Sequence, residues 1–328
     1  MVRIKNILGA LGVCAGILVG IIVLGYIMRP TDTDGAYEQI ETFHSLPENS
    51  LEVMVYGSSH AFSGMNTMEL YRKYGIGAYN YGWHWQALNT IKLFLRDSLT
   101  TQKPKVALIE TYTVRLVLED MDVDAQIYYS RYIKDKEAKR EYMKQCMGDS
   151  PSLERRLSYI MPLAMFHDNW SSLTPKSFEI LKPGGNVWLR RNMGFSPSDA
   201  VTEIDIAGYD QPNQLELQEP SRKELDEILR ICRENEIEVV FYAVPWEGGY
   251  QYLDAMKRYA EENDCVFLDL CTDYEKVGLD GKTDYKDKGH LNTSGATKVA
   301  DYVGKYLKEH YDLTDMRKID NNLWEQMQ

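Results

Sequence analysis

The sequence has little cysteine and no arrangement of it that would hold a zinc ion. Its five cysteines in 328 residues include no C-x-x-C pair and do not cluster with histidine. The six histidines form no H-E-x-x-H motif, so we predict no metal ion and no cofactor. A chain of this length can also bury a sizeable core without a disulfide framework.

Basic residues are scarce outside the N-terminus. The chain has 37 Lys and Arg against 49 Asp and Glu, and its first 29 residues hold three basic residues (Arg3, Lys5 and Arg29) and no acid. The remaining residues therefore carry 34 basic and 49 acidic side chains, a formal net charge of −15. Such an acidic body repels phosphate backbones, so we predict no nucleic-acid partner.

A long apolar run occurs once, at residues 7–28, which contain no charged side chain. As a helix the run would be about 33 Å long, enough to cross a hydrocarbon core of about 30 Å and longer than the apolar region of a signal peptide. It predicts an uncleaved single-pass anchor in the cell membrane. Because Arg3 and Lys5 precede it, residues 1–6 should form a cytoplasmic tail and the body should lie outside. Residues 29–50 are polar and are interpreted as a tether.

The body, residues 51–328, alternates short apolar strands with amphipathic helices. The pattern predicts a mostly parallel sheet covered on both faces, a flavodoxin-like three-layer α/β/α fold. The predicted strands are 51–56, 106–109, 239–244 and 266–269.

Residues 115–218 interrupt this alternation and are predicted to form a helical insertion. The segment contains charged helical stretches and then Pro, Gly and Trp residues, among them Pro183-Gly184-Gly185 and Trp188. We place it on the carboxyl side of the sheet, where open α/β sheets bind ligands. The alternative is a packed helical subdomain that does not contact substrate.

Two short motifs contain side chains that could act in catalysis. Gly57-Ser58-Ser59-His60 follows the first strand, where a glycine allows a tight turn and the next residues reach the edge of the sheet. Asp287-Lys288-Gly289-His290 precedes the last helix, and an Asp three residues before a His can orient its imidazole as a base. Together they predict a serine nucleophile served by Asp and His.

On these motifs the chain resembles the SGNH, or GDSL-like, hydrolase superfamily. The first family block corresponds to Gly57-Ser58-Ser59, so the resemblance implies that Ser59 is the nucleophile. The last block, D-x-x-H, corresponds to Asp287 and His290. The second block, N-x-G, matches Asn80-Tyr81-Gly82 and implies that the amides of Gly82 and Ser59 form an oxyanion hole.

The third family block, which supplies an oxyanion-binding asparagine, is absent. The strand at 106–109 is followed by Glu110-Thr111-Tyr112 instead. This departure, the G-S-S turn and the anchor resemble a membrane-tethered subgroup, the relatives of the D-alanine transfer protein and of alginate O-acetyltransferase accessory proteins. That resemblance implies work beside a multi-spanning membrane O-acyltransferase on a cell-surface polysaccharide or cell-wall polymer.

Other residues are candidates for substrate binding. Trp83 and Trp85 flank His84 and could stack on sugar rings or pack at a helix start. Glu110 could contact substrate, or it could be a strand-end acid satisfied by a backbone amide. The segment 166–170 could line a cleft or form a surface turn. Two alternative assignments of the triad remain: Asp284 could replace Asp287 as the partner of His290, and His60 could replace His290 as the base.

The expected function is extracytoplasmic, serine-dependent acyl transfer or ester hydrolysis on a cell-surface polymer through Ser59, His290 and Asp287. The alternative is a non-catalytic partner of a membrane acyltransferase, or a polymer-binding protein, that keeps the fold without turnover. The intact triad favours the enzyme, and the missing asparagine favours the binding protein.

Overall fold

The body is built on a five-stranded parallel sheet in the order β2-β1-β3-β4-β5. The computed structural model describes residues 2–28, 35–115, 127, 130–175, 177–178, 190–206, 215–320 and 322–327. In these residues the strands are β1 (Val53–Tyr56), β2 (Ala78–Asn80), β3 (Val106–Glu110), β4 (Glu238–Ala243) and β5 (Val266–Asp269). The order is that of flavodoxin-like folds, so the predicted fold class is confirmed.

The same residues form helices before, between and after the strands. They are α1 (Val2–Ile27), α2 (Gly35–His44), α3 (Ser59–Gly64), α4 (Thr67–Tyr74), α5 (Leu88–Ser98), α6 (Lys136–Met147), α7 (Leu153–Ile160), α8 (Pro162–Phe166), α9 (Glu219–Glu234), α10 (Leu253–Glu262), α11 (Tyr274–Val277) and α12 (Thr293–His310).

The two faces of the sheet are covered by different helices. Successive strand residues point to opposite faces, so Met54 and Tyr56 pack with α5 and α9, while Val53 and Val55 pack with α4 and α12. All four side chains are fully buried. Burial on both faces explains why the strands are continuously apolar.

The topology brings the predicted motifs to one edge of the sheet. β1 lies between β2 and β3, so the chain reverses its direction of travel across the sheet beside β1. Ligands of open α/β sheets bind at the carboxyl ends of the strands at such a switch point. The turn that carries Ser59 begins there, directly after β1.

The N-terminal helix α1 has a stretch, Ile4–Ile27, that is 24 residues long and apolar enough to cross a membrane. The prediction that residues 29–50 form a tether is, however, wrong for residues 35–44. Residues 35–44 form α2, and Gln39, Ile40 and Phe43 of this helix are fully buried. Their burial docks α2 on the body. Residues 29–34 lie outside the described residues.

The region between β3 and β4 contains the predicted helical segments α6, α7 and α8. Its later part, residues 193–206, crosses the carboxyl edge: the Ser196 amide donates to the Phe62 carbonyl in α3, and the Thr202 amide donates to the Tyr285 carbonyl. This part of the insertion therefore lies against both motif-bearing segments. The motif Pro183-Gly184-Gly185 and Trp188 lie outside the described residues.

Helix α9 starts at Glu219, although Ser221-Arg222-Lys223-Glu224 has the sequence pattern of a capping box. The Ser221 side chain is buried and makes no capping hydrogen bond. Pro220 lies in the first turn of the helix, where a missing N–H breaks no intrahelical hydrogen bond.

Candidate active site

The candidate site begins with the turn after β1. Gly57 has φ +144°, and a Cβ atom placed there would lie 2.6 Å from Cβ of Glu110, so the turn requires glycine. Ser58 is the N-cap of α3, its hydroxyl accepting a hydrogen bond of 3.1 Å from the His60 amide. Ser59 is the first residue of that helix and is only partly buried. The turn thus buries Ser58 and presents Ser59.

Ser59, His290 and Asp287 form a continuous chain of hydrogen bonds. Oγ of Ser59 lies 2.7 Å from Nε2 of His290, and Nδ1 of His290 lies 2.8 Å from Oδ1 of Asp287. The carboxylate also accepts hydrogen bonds from the amides of Gly289 (2.8 Å) and His290 (2.9 Å). With Nδ1 donating to Asp287, Nε2 is the acceptor for the serine proton. The predicted juxtaposition is present in the structure.

The protonation states of His290 and Asp287 allow His290 to act as a base. Partial burial lowers the pKa of His290 below its usual value, although the charge of Asp287 opposes the shift. Burial alone would raise the pKa of Asp287, but the Gly289 amide and the imidazole outweigh it and lower that pKa. At neutral pH His290 is therefore neutral and Asp287 is ionised, the pair of states that proton abstraction from Ser59 requires.

Asp284 and His60, the two alternative candidates for the triad, make other contacts. Asp284 is fully buried and accepts hydrogen bonds from the Asp280 amide (2.8 Å), the Ser294 hydroxyl (2.8 Å) and the Lys298 ammonium (2.6 Å). His60 is buried and stacks on Tyr112, with ring centroids 4.2 Å apart. Burial, followed by the proximity of His290, holds its pKa well below the usual value. Neither residue takes the position given to Asp287 or His290.

The Gly82 amide is not placed as an oxyanion donor, which corrects the role that the family resemblance implied. It donates to Oδ1 of Asn80 at 3.1 Å, and Gly82 is buried. The Asn80 amide group in turn donates to the carbonyls of Ala61 (2.8 Å), within α3, and Met65 (3.1 Å), the residue that follows α3. The N-x-G segment therefore holds the nucleophile helix. The Ser59 amide, at the start of that helix, makes no hydrogen bond to the described residues.

Glu110 is completely buried, so its assignment as a substrate contact is also corrected. Its carboxyl group accepts hydrogen bonds from the Ser58 hydroxyl at 2.8 Å, from the Tyr112 amide at 2.6 Å and from the Tyr250 hydroxyl. Burial raises its pKa to about 7, against the lowering effect of these donors. The residue supports the turn from inside, as the strand-end alternative requires.

The two predicted tryptophans differ. Trp83 is partly buried and stacks on Phe62, with centroids 5.2 Å apart. Trp85 has φ +49° and remains 54 % exposed, with its ring 6.3 Å from that of Tyr112. Trp83 thus packs against α3, and Trp85 is the ring available to a ligand at the mouth of the site.

Three further side chains adjoin the triad and were not predicted. Tyr112 and Trp246 lie edge to face, 5.5 Å apart, and both contact His60. Lys286 donates to Ser63 in α3 at 3.0 Å, and burial lowers the pKa of its ammonium group. Tyr112 lies two residues after β3 and Trp246 three residues after β4, so their position just beyond the strand ends was the signal that could have found them.

Comparisons with known proteins give fold-level similarity only. No family model matches the sequence, and no curated protein sequence matches it either. Similar solved structures are a protein described as an acylhydrolase from Bacteroides fragilis (12 % identity, 85 % of this chain and 99 % of that chain, TM-score 0.41) and a GDSL-like lipase from Bacteroides thetaiotaomicron (11 % identity, 84 % and 98 %, TM-score 0.40). A third is a protein described as a lipolytic member of the G-D-S-L family from Desulfitobacterium hafniense (12 % identity, 77 % and 97 %, TM-score 0.38).

Proposed function

We propose that this protein is a membrane-anchored serine enzyme that cleaves or transfers an acyl ester outside the cytoplasm. The observation that carries the proposal is the hydrogen-bonded chain from Ser59 through His290 to Asp287. Ser59 stands at the carboxyl edge of a parallel sheet and is partly exposed, so an ester can reach it.

The reaction proceeds in two steps. Oγ of Ser59 attacks the ester carbonyl carbon while Nε2 of His290 takes the hydroxyl proton, and the ionised Asp287 stabilises the imidazolium. The protonated His290 then gives its proton to the departing alkoxide, which leaves as an alcohol, and the acyl group stays on Ser59 as an ester. Water or a sugar hydroxyl attacks this ester and loses its proton to His290. The bond to Oγ of Ser59 then breaks, His290 returns the proton to Oγ, and the acyl group leaves as a carboxylic acid or an acylated sugar.

The acceptor and the cellular setting are part of the proposal. A helix long and apolar enough to span a membrane, preceded by Arg3 and Lys5, supports an extracytoplasmic body. Trp85, the exposed ring beside Tyr112, supports a sugar acceptor, since aromatic faces pack well against sugar rings. The resemblance of the motifs to membrane-tethered acyl-transfer proteins supports a cell-surface polysaccharide or cell-wall polymer and a multi-spanning O-acyltransferase as partners.

Two observations favour a second function, a binding protein without turnover. The Gly82 amide is already bonded to Asn80, and Glu110 occupies the strand end where the family has its asparagine. Losing one oxyanion donor typically lowers the rate by about 10²–10³. A protein with neither donor would bind an acylated polymer or an acyltransferase and not turn it over.

Covalent labelling separates the two functions. The detergent-solubilised full chain is treated with a fluorophosphonate, and the modified peptide is identified by mass spectrometry. We expect a single adduct on Ser59, strongly suppressed in His290→Ala because the hydroxyl loses its base.

Ser58→Ala is not a neutral control, since Ser58 caps α3. Ser172→Ala, which replaces an exposed serine outside the site, serves as the serine control and should label normally. An adduct on Ser58, or equal labelling of wild type and His290→Ala, contradicts the triad. No labelling of Ser59 at all supports the binding protein.

A further inference from the structure

Helix α7 in the insertion exposes a stripe of large apolar side chains. Leu153, Leu157 and Ile160 are 73 %, 42 % and 71 % exposed, and their i, i+4, i+7 spacing puts them on one face. The other face is turned to the body, where Tyr159 packs on the core and Arg131 donates to the Ser158 carbonyl at 2.7 Å. The stripe is therefore exposed on the protein surface and does not pack into the core.

The stripe lies close to the end of the apolar helix α1. Helix α8, which follows α7 after a single residue, packs against α1. Just beyond α8, the Asn169 amide group donates to the Met28 carbonyl at 3.0 Å. Ile27 is accordingly buried, whereas Leu11 and Ile17 nearer the middle of α1 are about 60 % exposed. The insertion thus packs against and hydrogen-bonds to the end of α1.

Two properties suit this surface to lipid. Trp170, next to Asn169, is 67 % exposed, and tryptophan is enriched where a membrane meets water. Residues 153–172 hold two arginines and two acids, so the segment is neutral, although residues 30–328 as a whole have a net charge of −15, and it is not repelled by anionic headgroups. An apolar helical face bordered by polar and charged residues is the pattern of helices that lie in the membrane interface.

We infer that Leu153, Leu157, Ile160 and Trp170 form a membrane-facing patch that inserts into the lipid–water interface beside the end of α1. The occupant is lipid, because the segment that carries the patch packs, through α8 and Asn169, against the end of the apolar helix α1. The inference rests on the proposed anchorage through α1 and goes beyond the proposed reaction. The consequence is that α1 and the patch together fix the height and tilt of the body, and with them the position of Ser59 above the bilayer.

The test measures whether Trp170 contacts lipid. The full chain is reconstituted into phosphatidylcholine–phosphatidylglycerol vesicles whose acyl chains carry bromine near the headgroup. The emission of Trp170 is taken as the difference between wild type and Trp170→Phe. We expect bromine to remove roughly half or more of that emission, as for a ring in the interface. The matched control is Trp85→Phe, because Trp85 is similarly exposed but lies at the active site; its emission should be unaffected.

A second variant removes the apolar stripe. Leu157→Glu combined with Ile160→Glu alters only exposed side chains and should fold normally, with Ser59 labelled by fluorophosphonate at the wild-type rate. It should still float with vesicles through α1, yet quenching of Trp170 should be largely lost. Unquenched Trp170 in wild-type chains that float, or quenching unchanged by the double substitution, overturns the patch. If the wild-type chains do not float, both the anchor and the patch are contradicted. Labelling of Ser59 tests the proposed reaction separately.

Discussion

Ser58 and Glu110 are joined by a buried hydrogen bond of 2.8 Å, one residue before the proposed nucleophile. Register explains the contact: Tyr56 of β1 is paired with Ile109 of β3, so Gly57 lies opposite Glu110 and has no side chain to keep the carboxyl group away. The carboxyl group thereby holds the residue that caps α3. In the family that the motifs resemble, this strand end supplies an oxyanion donor. In this protein the same position is occupied by Glu110, which supports the turn.

The Glu110 carboxyl group should make stability depend on pH. Its folded pKa is about 7 against an ordinary 4.5, so the folded state binds the proton more tightly than the unfolded state. The resulting stabilisation is complete below about pH 4.5 and is lost as pH rises to about 7, a change of about 3 kcal/mol in the free energy of unfolding. Glu110→Gln can keep the hydrogen bonds with Ser58, Tyr112 and Tyr250 but cannot titrate. Denaturant unfolding of both proteins should show wild type losing about 3 kcal/mol of stability relative to Glu110→Gln between pH 4.5 and pH 7. Parallel curves would contradict this prediction.

The pH dependence of Ser59 labelling should report His290. Because the pKa of His290 is lowered by burial, the labelling rate should rise with a midpoint below 6.5 and be level at neutral pH. The measurement is made in the Glu110→Gln background, where the second nearby titration is removed. Asp287→Asn should lower the rate by about 10⁴, since the imidazole loses its orienting partner. A midpoint above 6.5, or a rate independent of Asp287, would be the opposing result.

Asn80 should act as a structural clamp on the nucleophile helix. Its side chain is fully buried and bonds to Ala61, Met65 and Gly82. In Asn80→Asp a second carboxylate oxygen faces the carbonyls of Ala61 and Met65, which accept hydrogen bonds from the Asn80 amide group in wild type. We expect a loss of at least about 3 kcal/mol in the free energy of unfolding, more than for Asn80→Ala. An aspartate variant as stable as wild type would show that Asn80 does not hold α3 in this way.

Helix α2 should contribute directly to the stability of the body. Phe43 is fully buried and stacks on Tyr81 with centroids 4.4 Å apart. Phe43→Ala should cost about 3–5 kcal/mol in the free energy of unfolding, while the exposed Glu48→Ala should change it by less than about 0.5 kcal/mol. Equal stability of the two variants would restore the tether interpretation of residues 35–44.

Local patterns predicted the sheet well because most of its strands are continuous apolar runs between turn residues. Four of the five strands and the layers around them followed from these runs. The strand Ala78–Asn80 did not, because three residues at the sheet edge have no readable periodicity. Helix α2 was missed for a related reason: its composition is polar, and Gln39 is buried only because three backbone carbonyls from other segments meet its amide group.

The site shows the same division between local and tertiary information. The spacing of Asp287 and His290 is local, and β1 and α12 bring Ser59 to them, so the geometry of the triad was predictable. The hydrogen bond of the Gly82 amide was not predictable, since it depends on the rotamer of Asn80, and the carbonyls of Ala61 and Met65 hold that rotamer. Similarly, the inward direction of Glu110 depends on Tyr250, 140 residues away in the sequence.

The choice between hydrolysis and transfer turns on what reaches the acyl-Ser59 ester. A transferase must hold a sugar hydroxyl near His290 and keep water from competing, and we predict that Trp85 is the ring on which the sugar stacks. The full chain is given an activated acetyl ester with and without cell-wall oligosaccharide, and free acetate and acetylated sugar are both followed. We expect acetylated sugar, with Trp85→Ala raising the acceptor KM by about three- to tenfold and leaving acetate release without acceptor unchanged. Both assays are run in detergent without a bilayer, so Trp170→Ala, which removes another exposed tryptophan, is the control and should behave as wild type in both. Acetate release unaffected by acceptor, with no acetylated sugar formed, would instead identify an esterase in which Trp85 has no acceptor to bind.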